Sequence, residues 1–278
     1  MNPIGKALYR MNEAKWNEKP PEELWHLILT AEDPLLRQFR LLFKHIPSAP
    51  RCKFCNAPFH GLGAPLMRFF GREPSQLNPR FCSVCLDPAP LGGAEIELTL
   101  LFADVRGSMS LAEQMSPADF SRLISRFFTT STRVLIQANA WIDRLVGDEV
   151  IALFLPGYVG TDHQRVAVEA AIELLRETGH HSSEGPWIPV GVGVHSGKAF
   201  VGKVGHAGVS DITVLGDVPN VAARLASQSA AGEILVSDDT FKTAGMGILE
   251  PEVRQLQLKG RTQPMAVRVL QVTPVYVN

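Results

Sequence analysis

Four cysteines are the residues whose type and spacing point most directly to chemistry. They form two CxxC pairs separated by 26 residues, and the chain has no other cysteine. Four thiolates in two such pairs are typical of a structural Zn²⁺ site, which is tetrahedral and closed to substrate. The sequence therefore predicts one structural Zn²⁺ held by these four ligands: Cys52, Cys55, Cys82 and Cys85.

An iron–sulfur cluster or a redox pair is the alternative for the same cysteines. His60 lies between the two pairs, but four thiolates already complete a tetrahedral shell. Disulfides are not expected, because the N-terminus carries charges throughout and lacks the apolar segment of a signal peptide. No stretch approaches 18 consecutive apolar residues, so no transmembrane helix is expected. These observations predict a cytoplasmic protein with no membrane association.

Two aspartates stand where predicted strands end. Asp104 lies near the end of the apolar stretch 96–105, and Asp148 lies in a predicted tight turn between two short strands within 141–155. Each residue alone is typical of a cap or a turn. Together, two carboxylates on adjacent loops would suit a hard divalent cation such as Mg²⁺ or Mn²⁺.

The elements that must position these residues alternate along the second part of the chain. Helical periodicity covers 117–138, 163–178 and 217–228, and a glycine-punctuated strand pair is predicted for 188–204. Further strands are predicted at 233–236 and, as a final pair, within 253–272. Strands that alternate with helices, some of them joined by hairpins, predict an α+β sheet with helices on one face.

Length and composition predict one large domain and a small module. The chain has 278 residues, of which 45% are hydrophobic and 20% charged, which excludes a largely disordered protein. The predicted boundaries are a helical segment over 1–50, a four-cysteine zinc-binding module over 51–86, a linker rich in Pro and Gly over 87–94, and a large α+β domain over 95–275.

Charge is distributed unevenly between these parts. Residues 34–85 contain eight basic residues and one acid, although the whole chain has a formal net charge of −1. A basic zinc module is compatible with nucleic-acid binding, but four thiolates around Zn²⁺ reduce its positive charge. A nucleic-acid partner is therefore the less favoured interpretation, and arginines that solvate the module are the simpler one.

The motifs of the second part, taken in order, resemble the class III nucleotide cyclases (adenylate and guanylate cyclases) from about Glu95 to Val272. The segments that carry the resemblance are FADVRG with Asp104, GDEV with Asp148, VGVHSGKAFVGKVG, NVAAR and LKGRTQPMAV. The resemblance implies a ferredoxin-like α+β domain that works as a head-to-tail homodimer with its sites at the dimer interface. It also implies two Mg²⁺ or Mn²⁺ ions per site and a nucleoside triphosphate as substrate.

The resemblance further implies a role for each matching residue. Asp104, Asp148 and the Val105 carbonyl would bind the metal ions, and Lys198 and Lys259 would contact the phosphates. Asn220 and Arg224 would stabilise the transition state. Every one of these groups is present in the chain, which disfavours the alternative of a non-catalytic nucleotide-binding scaffold.

The base-recognising pair departs from the family pattern. Arg144 stands four residues before Asp148, where adenylate cyclases usually have lysine, and its partner position is Thr213. The Thr213 hydroxyl can accept from the exocyclic amine of adenine, whereas the arginine fork also suits guanine or a pyrimidine carbonyl. ATP is the predicted substrate, with GTP or a pyrimidine nucleotide as the alternative.

Overall fold

The computed structural model describes residues 20–30, 34–43, 45–46, 50–52, 54–76, 78–206, 209–246, 250–258 and 262–272. The chain divides into two compact units. The first contains Met1–Ile96, Pro156–Tyr158 and Ala199–Leu215, and the second contains Glu97–Leu155, Val159–Lys198 and Gly216–Asn278. The predicted domain boundaries stay predictions.

The helices of the described residues are short in the first unit and longer in the second. They are α1 (Pro21–Leu29), α2 (Pro34–Phe43), α3 (Ala64–Phe69), α4 (Ser83–Leu86), α5 (Ser108–Gln114), α6 (Pro117–Gln137), α7 (Pro156–Val159), α8 (His163–Glu177), α9 (Asp217–Gln228) and α10 (Asp238–Thr243). Over the ranges given above, no helix is long and apolar enough to cross a membrane.

The strands form one mixed sheet. They are β1 (Gly92–Val105), β2 (Trp141–Val146), β3 (Glu149–Phe154), β4 (Val190–His206), β5 (Val209–Leu215), β6 (Glu233–Ser237), β7 (Glu252–Leu256) and β8 (Met265–Gln271). The order across the sheet is β2-β3-β1-β4-β6-β8-β7, and β5 pairs with β4. β4 and β6 are parallel, whereas β1 with β3 and β6 with β8 are antiparallel. This mixture of strands and helices confirms the predicted α+β class.

The core of the second unit lies between the sheet and helices α6 and α8. Phe127 and Leu135 of α6 and Leu174 of α8 are fully buried and belong to one cluster with Val192 and Ile234 of the sheet. The start of α6 follows directly from the sequence, because Pro117 is at its first position and the Ser116 side chain accepts a hydrogen bond from the Asp119 amide.

One element differs from the sequence prediction. Residues 188–204 do not form a strand pair, because β4 runs without interruption from Val190 to His206. Its glycines permit close packing rather than a turn. A Cβ atom on Gly193 would lie 2.3 Å from the Ala226 amide nitrogen and 2.4 Å from the Ala222 carbonyl oxygen, so only glycine lets α9 lie this close to the sheet. The partner strand of the hairpin is β5.

Candidate active site and metal centre

The two predicted metal-binding aspartates lie at the same end of neighbouring strands. Asp104 is the next-to-last residue of β1 and pairs in register with Glu149, the first residue of β3. Asp148 immediately precedes that strand, in a turn where Gly147 has φ 60°. The Val105 amide donates to the Asp148 carbonyl at 3.3 Å and fixes the two segments side by side. The spacing in sequence therefore becomes proximity in the fold.

Two further charged groups lie beside these aspartates and were not singled out from the sequence. The Arg106 guanidinium contacts the Asp104 carboxylate and donates to the Ser227 carbonyl at 3.0 Å. Burial, with a contribution from the Asp148 charge, raises the pKa of Glu149. Burial lowers the pKa of Arg106, against the effect of Asp148 and Glu149. Their only sequence signal is adjacency to the aspartates.

This donor set fits a hard divalent cation. Three carboxylates share the end of β1 and β3, and the Arg106 guanidinium contacts one of them, that of Asp104. Carboxylate and backbone carbonyl oxygens are the ligands that Mg²⁺ and Mn²⁺ prefer. A cation bound here would offset the repulsion that these carboxylates exert on one another.

Asn220 and Arg224 lie one turn apart on α9, away from its packed face. Val221 and Leu225 are fully buried under the helix, whereas Asn220 is exposed and Arg224 half-buried. The Asn220 amide donates to the Gly216 carbonyl at 3.1 Å. Both side chains belong to the second unit, as do the aspartates.

The other predicted nucleotide-binding residues occupy different settings. Arg144 on β2 is exposed, and its Nε lies 3.4 Å from an Asp143 carboxylate oxygen. Lys198 on β4 is exposed as well. Thr213 lies on β5 in the first unit and is 7% exposed. Lys259 lies outside the described residues.

The four cysteines converge in the first unit. All four are buried, and their four sulfur atoms all lie within 4.8 Å of one another. The sulfur atoms of Cys55 and Cys82 are 3.9 Å apart. The edge of a sulfur tetrahedron around Zn²⁺, with metal–sulfur distances of about 2.3 Å, is about 3.8 Å. The cluster is therefore placed to bind one metal ion.

Tight turns of the backbone bring each cysteine pair together. The Asn56 amide donates to the Cys52 carbonyl at 2.9 Å, and Asn56 has φ 60°. The Cys85 amide donates to the Cys82 carbonyl at 3.0 Å at the start of α4. The Cys82 amide donates to the Cys52 sulfur at 3.2 Å and joins the two turns.

Two buried arginines surround the sulfur cluster. Arg72 is 6% exposed, and its Nη1 lies 3.3 Å from the Cys55 sulfur and 3.8 Å from the sulfur atoms of Cys82 and Cys85. Arg40 is 2% exposed, donates to a backbone carbonyl at 2.8 Å, and has its pKa lowered to about 10 by burial.

Arg72 favours a charged sulfur at Cys55. Burial raises the pKa of the Cys55 thiol, but hydrogen bonds from the other three cysteines and the charge of Arg72 outweigh it and bring the pKa well below its ordinary value. Burial and hydrogen bonds to neighbouring cysteines raise the pKa of Cys82, and hydrogen bonds to the other cysteines together with burial raise the pKa of Cys85. Two buried guanidinium groups match the net charge of −2 that a divalent ion with four thiolates carries, whereas neutral thiols or disulfides would leave them uncompensated. From the sequence alone, both arginines are no more than contributions to the positive charge of residues 34–85.

Comparisons with known proteins identify the second part of the chain. Residues 94–271 match the family described as adenylate and guanylate cyclase catalytic domain. An adenylate cyclase of Anabaena cylindrica is 33% identical over 136 residues, which are 46% of this chain and 26% of that protein. The terminal-differentiation specific adenylate cyclase of Dictyostelium discoideum is 27% identical over 183 residues, which are 63% of this chain and 8% of that protein. The chain therefore spans about a quarter or less of these relatives.

Solved structures agree with this assignment. The adenylyl cyclase CyaB from P. aeruginosa is 26% identical, with a TM-score of 0.57 over 64% of this chain and 95% of that one. The guanylyl cyclase Cya2 is 24% identical, with a TM-score of 0.60 over 64% of this chain and 93% of that one, a likeness of fold alone.

Proposed function

Since the chain belongs to the adenylate and guanylate cyclase catalytic domain family, as a class III nucleotide cyclase, we propose that it converts ATP to 3′,5′-cyclic AMP and pyrophosphate. The observation that carries this proposal is the pair of aspartates at one end of β1 and β3, in a unit whose helix α9 presents Asn220 and Arg224 away from its buried face. All four of the groups that the proposed reaction requires are thus present in this unit, which favours an active enzyme over a non-catalytic domain.

The reaction forms one bond at the α-phosphorus and breaks another. The ribose 3′-oxygen gives up its proton to solvent and attacks the α-phosphorus, and the bond between that phosphorus and the bridging oxygen breaks to release pyrophosphate. Asp104, Asp148 and the Val105 carbonyl would hold two Mg²⁺ or Mn²⁺ ions, which would supply a lowered pKa of the 3′-hydroxyl and neutralisation of phosphate charge. Because the Val105 amide donates to the Asp148 carbonyl, the backbone segments that carry the two aspartates are held side by side before substrate arrives.

The remaining groups act on the charge that develops during transfer. Arg224 has a permanently charged, rigid fork that suits the oxygens of the transferring phosphoryl group. Asn220 orients the ribose by hydrogen bonding, because its amide has donors beyond the one used on Gly216. Lys198 and Lys259 serve as point charges for the departing pyrophosphate.

A homodimer supplies both halves of each site in this proposal. One copy provides Asp104 and Asp148, and the other provides Asn220, Arg224 and the base-recognising pair. Two-fold symmetry would then create two equivalent sites, each incomplete in an isolated copy.

ATP is the proposed substrate because Thr213 offers a hydroxyl to the exocyclic amine of adenine. GTP is the second candidate, and the observation that favours it is the exposed guanidinium of Arg144 at the base-recognising position. A bidentate arginine suits guanine better than adenine.

The four-cysteine cluster is proposed to hold one structural Zn²⁺ and to take no part in the chemistry. All four sulfur ligands are buried, and four thiolates leave no open coordination position. Two of the eight basic residues of the region, Arg40 and Arg72, are buried and unavailable to a nucleic-acid backbone, which weakens the case for a nucleic-acid site.

The identity of the product tests this proposal. The protein would be incubated with Mn²⁺ and separately with ATP, GTP, UTP and CTP, and the cyclic monophosphates would be identified by mass spectrometry. We expect cyclic AMP as the main product and none from Asp148→Asn. Cyclic GMP as the main product would reverse the base assignment and leave the mechanism intact, whereas no product from any nucleotide would contradict the proposed activity.

A further inference from the structure

A buried lysine joins the strand that carries Thr213 to the four-cysteine cluster. Lys203 lies on β4 and is 7% exposed. Its Nζ donates to two backbone carbonyls, those of Leu86 at 2.9 Å and Ala89 at 2.8 Å. Burial lowers the pKa of Lys203, and the charge of Asp87 opposes that effect. A buried ammonium group is costly unless its donors are satisfied. Lys203 therefore restrains the two carbonyls that accept its hydrogen bonds.

The first of these carbonyls belongs to the turn that presents two of the sulfur ligands. Leu86 follows Cys85 directly, and its amide donates to the Cys82 carbonyl at 3.0 Å. Helix α4 is a single turn, so it has little stability of its own. The position of the Leu86 carbonyl therefore depends on the ligands at Cys82 and Cys85 being held.

Close backbone packing reinforces the same contact. A Cβ atom on Gly202 would lie 2.3 Å from the Gly92 carbonyl oxygen and 2.4 Å from the Gly93 Cα atom. A Cβ atom on Gly93 would lie 2.3 Å from the Val201 carbonyl oxygen. The start of β1, which follows the cysteine module in the chain, thus packs directly on the backbone of β4 next to Lys203.

The contact reaches Thr213 through one strand pairing. In the antiparallel ladder of β4 and β5, Gly202 is opposite Thr213 and Lys203 is opposite Ile212. Thr213 lies in the middle of β5, and its neighbours Ile212 and Val214 are buried as it is. A displacement of this strand relative to β4 would therefore move Thr213 as well. A second link joins the same elements, because Arg80 of the module lies 3.8 Å from an Asp211 carboxylate oxygen.

We propose that Lys203 is a positioning residue that ties β5, and with it Thr213, to the metal-bearing turn of the four-cysteine module, so that metal in the module sets how tightly nucleotide is bound and selected. The role of Thr213 in this inference rests on the proposed function. The coupling between Lys203 and the module is independent of that function, because it is argued only from the hydrogen bonds of Lys203 to Leu86 and Ala89. None of these residues touches the reacting phosphate in this account, so the effect falls on binding rather than on the chemical step.

The test combines removal of the lysine with removal of the metal. Lys203→Met keeps the apolar stem and loses the donors. Hydrogen–deuterium exchange of residues 200–215 would be measured by mass spectrometry in wild type and variant, each before and after chelation. The control is Lys242→Met, which removes an exposed lysine paired with Asp238 in the second unit. Residues 141–154 serve as an internal reference.

We expect Lys203→Met to retain its metal and to exchange about ten-fold faster in 200–215, the size expected for losing a charge-assisted hydrogen bond. Chelation should speed exchange there in wild type and by a smaller factor in the variant, in which the lysine contact is already lost, because coupled changes are not additive. The KM for ATP should rise several-fold and the ATP-to-GTP preference should fall, with kcat within about two-fold of wild type. Lys242→Met should match wild type in every measurement.

Other results would overturn the inference. Unchanged exchange in Lys203→Met, or an equal effect of chelation in wild type and variant, would exclude Lys203 as the link. Faster exchange with unchanged KM and selectivity would reduce Lys203 to a structural anchor. If Lys203→Met does not fold, chelation of wild type decides, because undisturbed exchange in 209–215 would contradict the coupling. A wild-type protein that forms no cyclic nucleotide would refute the proposed function. The exchange data would still show whether Lys203 couples β5 to the four-cysteine module.

Discussion

Replacing Asp104 by asparagine is expected to lower kcat by about 10²- to 10³-fold or more while the protein stays folded. The change removes one of the two carboxylates proposed to bind the catalytic cations, and the amide that replaces it is a much weaker ligand for Mg²⁺ or Mn²⁺. Folding should be little affected, because the partly exposed ion pair with Arg106 is worth about 1 kcal/mol or less. Initial rates at saturating ATP and Mn²⁺, with thermal unfolding in parallel, would measure both effects.

Asp119→Asn is the matched control for this variant. It removes the same charge from an exposed carboxylate at the start of α6, where the partner is Arg122. We expect its rate to equal that of wild type. An Asp104→Asn protein that cyclises nucleotide as fast as the control would refute the assignment of Asp104 to the metal site.

Removing the metal from the four-cysteine cluster is expected to unfold the module around it. Structural Zn²⁺ sites contribute an apparent binding free energy of about 10–16 kcal/mol, far more than a small module gains from its core. Without metal, the four buried sulfur atoms lose the divalent charge that holds them together, and the single guanidinium of Arg72 beside Cys55 cannot balance four thiolates. We expect Cys82→Ser to lose its metal and to melt at a markedly lower temperature, as judged by elemental analysis and thermal unfolding.

His60→Ala is the control for this prediction, because His60 lies between the two cysteine pairs but outside the four-sulfur cluster. It should keep one Zn²⁺ per chain and change the free energy of unfolding by about 1 kcal/mol or less. A metal-free protein with the melting temperature of wild type would contradict a structural role. Iron in place of zinc would favour the alternative of an iron–sulfur cluster.

The residues proposed to carry the chemistry were predictable where local signals agree. Asp104 and Asp148 each follow from a predicted strand end or turn, and the antiparallel pairing of β1 with β3 brings them to the same end of the sheet. The cysteine cluster follows from its spacing. Helices α6, α8 and α9 follow from apolar periodicity that matches the buried faces observed.

The features that could not be predicted depend on residues far apart in the chain. The glycines of β4 resemble turn residues in the sequence. In the fold, Gly193 lies where a side chain would collide with the backbone of α9. Lys203 reaches carbonyls 114 and 117 residues away, and no local pattern distinguishes it from a solvated lysine. In the sequence, Arg40 and Arg72 are likewise indistinguishable from surface charge, but the fold buries both and places Arg72 against the sulfur atoms.

A mixed dimer tests the central claim, a cyclase site shared between two copies of the chain. Asp104→Asn and Arg224→Ala would carry different affinity tags, be expressed together, and be purified through both tags. Each variant alone should be inactive. The mixed dimer should show about half the wild-type rate, because one of its two sites combines the intact aspartates of one copy with the intact Asn220 and Arg224 of the other. A mixed dimer as inactive as its parents would contradict the shared site.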